Sequence, residues 1–137
     1  MVEFGTLVAS LALLTTSLGG LQAHVLERLS GSDAVAVQQV VAGARRAGLP
    51  PTGARTAYGR APYRRPSLRY VYATGWVAGT KSRNSCLLAS VDVDGTIALT
   101  IKAMRASATT MQAVRKLRLT AVQAGTAFAR GFVSACS

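Results

Sequence analysis

The stretch LRYVYATGWVAGTKSRNSCLLASVDVDGTIALTIKAM, residues 68–104, decides the fold class. Apolar and polar residues alternate in three parts of it, at 68–79, 85–93 and 96–104. Alternation with a period of two is typical of half-buried strands. The pair Asp94–Gly95 favours a tight hairpin turn, because both residues tolerate positive φ. The stretch therefore predicts a three-stranded antiparallel meander.

Helical patterns flank the predicted meander. Residues 33–47 carry an apolar stripe at helical spacing, with an acidic first turn and a basic last turn that suit the helix dipole. Residues 107–133 predict one long C-terminal helix that opens on a capping box of Thr109 and Gln112. A strand at 116–121 is the alternative there. With an N-terminal helix, the predicted fold class is α+β: two N-terminal helices, a three-stranded antiparallel meander and a long C-terminal helix.

The N-terminal helix is set apart from the rest by charge. Between Glu3 and Glu27 no residue is formally charged, and all sixteen lysines and arginines come later in the chain. The sequence thus divides into an apolar helix, 1–30, and a basic α+β body, 31–137. Apolar residues spaced alternately by four and three form a seam on one face of this helix: Leu7, Leu11, Leu14, Leu18, Leu21 and Val25.

Three interpretations of the apolar helix stay open. The seam favours a helix that is buried in the protein or forms an oligomer interface. The length of residues 4–26 also fits a membrane span, since about 20 apolar residues cross a bilayer. A cleaved signal peptide is the third interpretation, although the sequence before the apolar run carries no positive charge.

A loop rich in arginine and tyrosine, residues 49–67, is predicted to join the second helix to the meander. It contains all four prolines, and a loop of this length inside one domain is typical of a functional arm or a tether. Guanidinium groups bind phosphates and carboxylates, and tyrosine rings can stack on bases. A second basic group follows on the C-terminal helix. We expect the two groups to contact a polyanion or an acidic partner through Arg55, Arg60, Arg64, Arg65, Arg69, Arg115, Lys116 and Arg118.

The reactive side chains do not complete a catalytic site. Cys86 and Cys136 could form one disulfide or stay as two buried thiols. The stretch DVDGTI, residues 92–97, resembles the nucleophile motif of the haloacid dehalogenase superfamily, which implies a nucleophile at Asp92 and an acid/base at Asp94. No acidic residue follows this motif, so a magnesium site could not be completed. We therefore predict no catalytic residue, no metal and no cofactor.

The net charge of +11 indicates a negatively charged partner. We predict a non-enzymatic structural or assembly subunit, in a homo-oligomer or a larger protein assembly, with an apolar interface helix and a basic surface for an acidic partner. One alternative is a nucleic-acid-binding module that uses the arginine–tyrosine loop and the C-terminal helix. The other is a membrane-anchored filament subunit: an apolar N-terminal helix, an antiparallel sheet and a C-terminal cysteine resemble a type IV pilin.

Overall fold

The structure is a computed structural model that describes residues 33–82 and 93–136. These residues form six α-helices and no strand, so the predicted α+β class and its meander are wrong. The middle predicted strand, 85–93, lies outside the described residues except for its last residue. The helices are α1 (Asp33–Arg46), α2 (Pro51–Arg60), α3 (Pro66–Lys81), α4 (Val93–Arg105), α5 (Ala108–Lys116) and α6 (Ala121–Ser134). The predicted helix 1–30, with its seam of Leu7, Leu11, Leu14, Leu18, Leu21 and Val25, lies outside the described residues.

Helices α3 and α6 form the centre of the described bundle. α1 and α2 pack on α3, whereas α4 packs on α6 and α5 contacts both α4 and α6. The backbones of α3 and α6 approach closely because glycines on each helix lie against backbone carbonyls of the other helix. A Cβ atom on Gly75 would lie 2.2 Å from the carbonyl oxygen of Phe128, and one on Gly131 would lie 1.9 Å from that of Tyr72. Small residues at a helix contact allow this kind of approach.

The first predicted strand is wrong because α3 is buried nearly all round. Pro66 begins the helix at a position where a missing N–H costs nothing. Ten of the sixteen residues of α3 are buried, so its sequence has no polar face from which a helical period could be read. A short apolar run of this kind cannot be told from a buried strand by periodicity alone.

The last predicted strand is wrong because threonines line the buried face of α4. Thr96, Thr100 and Met104 are the buried residues of this helix, at the spacing of four that a helix requires. The Thr100 hydroxyl donates to the Thr96 carbonyl at 2.8 Å, which satisfies it inside the core. Asp94 lies in the first turn of α4, where its charge favours the helix dipole, and not in a hairpin turn.

Two other predicted elements need correction. Residues 49–67 are not one loop, since they contain α2, with Pro51 at its start. The single helix predicted at 107–133 is divided into α5 and α6. The Ser107 hydroxyl, and not a box of Thr109 and Gln112, accepts from the Thr110 N–H at the start of α5. The predicted helix at 33–47 is confirmed as α1, which ends one residue earlier.

Candidate anion-binding surface

The turn between α5 and α6 has an unusual backbone. The N–H groups of Leu119 and Arg118 donate to the carbonyls of Val114 and Arg115, at 3.3 and 2.9 Å, which is the Schellman pattern at a helix end. Arg118 occupies the left-handed position of this motif, with φ of 59°. Glycine is the usual residue there, because a Cβ atom is strained at positive φ. The equivalent position after α1 is Gly48, with φ of 77°.

This strained turn is joined to the segment that precedes α3. Arg65 precedes Pro66, and its guanidinium donates to the carbonyl oxygen of Arg118 at 3.2 Å, across 53 residues of sequence. The contact brings two basic segments of the chain together. We call the resulting group the basic surface; its five exposed side chains are Arg64, Arg65, Arg115, Lys116 and Arg118.

The basic surface has little negative charge to balance it. All of the lysines and arginines except Arg28 and Arg83 lie in residues 33–82 and 93–136, and those residues hold only two carboxylates, Asp33 and Asp94. Asp33 accepts a hydrogen bond from the Tyr58 hydroxyl. No side chain of the basic surface forms an ion pair with another described residue. Among the residues that the structure describes, no carboxylate neutralises this surface, and such a surface attracts anions.

Tyrosine rings do not accompany these arginines at the surface. Tyr58, Tyr70 and Tyr72 are buried, with at most 9% of the residue exposed. Tyr63 is half-buried, and its ring packs edge-on against that of Tyr72, with 6.3 Å between the centroids. Three of the four tyrosine rings are thus used in the core of the bundle, and the fourth packs against one of them. The surface offers guanidinium and ammonium groups without the aromatic platforms typical of single-strand binding.

Arg69, one of the predicted contact residues, has a structural role. Its guanidinium lies 4.8 Å from the centroid of the Tyr58 ring and donates to the carbonyls of Tyr58 and Gly59, at 3.1 and 3.4 Å. These carbonyls belong to the last turn of α2, where a cation favours the helix dipole. Since Tyr58 also reaches Asp33, the Asp33–Tyr58–Arg69 network ties together α1, α2 and the beginning of α3.

The other predicted contact residues are distributed over α2. Arg55 and Arg60 are both exposed on that helix, and Arg60 lines a cavity that is described below. Arg130 is a further exposed cation that the sequence does not single out. It lies on α6, and its guanidinium donates to the Tyr63 hydroxyl at 3.5 Å. Only the Tyr63–Arg130 contact, which spans 67 residues of sequence, connects Arg130 to the arginine–tyrosine segment, so no local pattern could have indicated it.

Two further expectations concern cysteine and metal. Cys136 is disulfide-bonded in the structure. Its predicted partner, Cys86, lies outside the described residues, as does Asp92 of the DVDGTI motif, so that pairing stays a prediction. Within residues 33–82 and 93–136, no three histidine, cysteine or acidic side chains lie close enough to hold a metal ion. In the same ranges no helix has the length and hydropathy of a membrane span.

Comparisons with known proteins give no relative from which a function could be proposed. No protein-family model, no curated protein and no solved structure matches this chain.

Proposed function

We propose that this chain is a non-enzymatic assembly subunit whose basic surface binds an acidic protein partner. The observation that carries the proposal is the hydrogen bond from Arg65 to the Arg118 carbonyl, which gathers basic residues from two distant segments into one patch. Charge-assisted contacts between guanidinium groups and carboxylates are stronger than neutral ones, and Arg can bind a carboxylate through two parallel bonds. The predicted homo-oligomer, and the apolar seam at residues 7–25, would be the other parts of such an assembly.

An acidic protein is favoured over nucleic acid by the burial of the tyrosines. A nucleic-acid module that used the arginine–tyrosine segment would present rings for stacking as well as cations for phosphates. Tyr58 is 3% exposed and Tyr70 is 1% exposed, so neither ring is open to a base. The five residues of the basic surface are cationic and non-aromatic, which suits the carboxylates of aspartate and glutamate side chains.

Changing Arg64 and Arg65 together to alanine should weaken binding to poly-L-glutamate roughly tenfold at low salt, because two charge-assisted contacts are lost. The matched control is the pair Lys102→Ala and Arg105→Ala, which removes the same charge from exposed positions on α4. Fluorescence anisotropy with the full-length chain measures both affinities. An equal loss in the two double variants would mean that net charge, and not the basic surface, governs binding.

Duplex DNA serves as the competing probe in the same titrations. For duplex DNA the logarithm of affinity falls with the logarithm of salt by about 0.9 for each phosphate contacted. Binding to DNA that is tighter than binding to poly-L-glutamate at equal salt, with a slope reduced by about 2 in the Arg64 and Arg65 variant, would replace the proposal with the nucleic-acid alternative.

Arg118→Gly should have opposite effects on stability and on binding. Glycine relieves the positive-φ strain, so the free energy of unfolding should rise by about 1 kcal/mol. The carbonyl that accepts from Arg65 is kept, but one cation of the basic surface is lost, so binding to poly-L-glutamate should weaken. Chemical denaturation and the anisotropy titration measure the two effects. A variant that is more stable and binds as well as wild type would show that the Arg118 side chain has no part in binding.

A further inference from the structure

A cavity of about 360 Å³ lies between α2, α3 and α6. Its volume is within the range of small-molecule sites. The described residues that line it are Thr52, Gly53, Thr56, Ala57 and Arg60 of α2, Tyr72 and Trp76 of α3, and Ser134 of α6. Trp76 is half-buried, and its indole lies against Gly53, where a Cβ atom would come within 2.6 Å of the ring. The indole of Trp76 forms an aromatic wall of the cavity, and it can lie this close to α2 because Gly53 has no side chain.

Several hydrogen-bond donors of this cavity donate to no other described residue. The guanidinium of Arg60, the hydroxyl of Tyr72 and the indole N–H of Trp76 are among them. Arg60 is not needed to satisfy the carbonyls at the end of α2, because Arg69 donates to two of them. Arg60 is also the one charged residue among the described lining residues, none of which carries a carboxylate.

We propose that this cavity binds a small aromatic anion, a ring that carries a carboxylate or a phosphate monoester. The ring would pack on Trp76 and Tyr72, and the anionic group would accept hydrogen bonds from Arg60. Arginine binds carboxylate and phosphate groups with matching geometry. An apolar wall with a few convergent polar groups is the usual construction of a small-molecule site. A cation would find no acidic partner among the lining residues that the structure describes, and a neutral ring would leave the Arg60 charge without a counter-charge.

The chain contains a single tryptophan, so its tryptophan emission comes from the wall of this cavity. Titration of the full-length protein with phenyl phosphate or with benzoate should give a saturable change in Trp76 emission. Benzyl alcohol, which has the ring without the charge, should bind at least roughly tenfold more weakly, since a hydrogen bond to a charged group is lost. The tighter of the two anions identifies the head group that the cavity prefers.

Arg60→Gln should weaken binding of the preferred anion roughly tenfold or more. Arg55→Gln is the matched control, because Arg55 is exposed on the same helix and does not line the cavity. Gly53→Ala should also weaken binding, since the added methyl displaces the indole, while the helical circular dichroism of all three variants stays that of wild type. The proposal is overturned if benzyl alcohol binds as tightly as the anions, if Arg60→Gln matches Arg55→Gln, or if no probe changes the emission saturably.

Discussion

Replacing Gly131 with alanine should lower the free energy of unfolding by about 3 kcal/mol or more. The added Cβ atom would lie 1.9 Å from the Tyr72 carbonyl oxygen and 3.1 Å from the Trp76 nitrogen. Both are backbone atoms, so no side-chain rotation can relieve the overlap and the two central helices would have to move apart. Urea denaturation followed by helical circular dichroism measures the loss. Since folded domains are stable by only about 5–15 kcal/mol, the loss is a large fraction of the total.

Gly59→Ala is the matched control for this prediction. Gly59 is exposed in α2, and a Cβ atom there would meet nothing within 4 Å. The same substitution should therefore raise the free energy of unfolding by about 0.5 kcal/mol, because alanine restricts the unfolded chain more than glycine does. If Gly131→Ala unfolds at the same urea concentration as wild type, α3 and α6 do not approach each other as closely as described.

The same close approach explains why the sequence predicted strands where the chain forms helices. In residues 68–79 the glycines and alanines permit close contact with α6. Their hydrophobicity is intermediate, so it indicates neither a buried nor an exposed position. Gly75 and Gly79 are four residues apart and both face carbonyls of α6. A contact of that kind depends on its partner 53 residues away, at Phe128 and Phe132, and no local pattern contains it. Tertiary packing of α3 against α6 thus favours a helix where the local period of two predicts a strand.

Local sequence signals predict some of the helix ends and not others. α1 was predicted from its valine stripe and its terminal charges, and these signals are local. The division between α5 and α6 was missed, although Thr120 and Gln123 form a capping box there. The alternation at 116–121 suggested a strand because Leu117 and Leu119 are buried on either side of exposed Arg118. The alternation of buried and exposed residues comes from a turn in which Arg118 has a positive φ. Arginine rarely adopts this conformation, so the sequence gives no sign of the turn.

The sequence predicts which residues make up the basic surface, but it does not predict that they lie together in space. The arginine-rich segment and the basic end of α5 are both visible in the sequence. Their meeting through Arg65 and Arg118 follows only from the helical fold. The fold also separates residues that the sequence grouped together: Arg69 supports the end of α2, and Arg60 lines a cavity. Eight residues that were predicted as one contact group therefore have at least three different surroundings.

As the pH rises past about 10 the protein should lose stability through Tyr70 alone, with a slope that approaches about 1.4 kcal/mol per pH unit above about pH 11. Burial raises the pKa of Tyr70 well above its ordinary value, because the charged phenolate is poorly solvated in the core. Burial, and then the hydrogen bond to Asp33, also raise the pKa of Tyr58. The unfolded chain releases these protons near pH 10 while the folded chain keeps them. The stabilisation is therefore complete below that pH and is lost as the pH rises.

Tyr70→Phe should lower the total loss of stability between about pH 9 and 11.5 by roughly 2 kcal/mol, because phenylalanine has no proton to release in the unfolded state. Urea denaturation of wild type and variant at several pH values between about 9 and 11.5 measures the two slopes. Tyr63→Phe is the control, since Tyr63 is half-buried beside exposed Arg130 and lies outside the deepest part of the core. Because the prediction compares slopes, a uniform change in stability from the lost hydroxyl does not affect it. Equal slopes for Tyr70→Phe and wild type would mean that the Tyr70 hydroxyl is not desolvated, which contradicts its position against α1 and within α3 at the centre of the bundle.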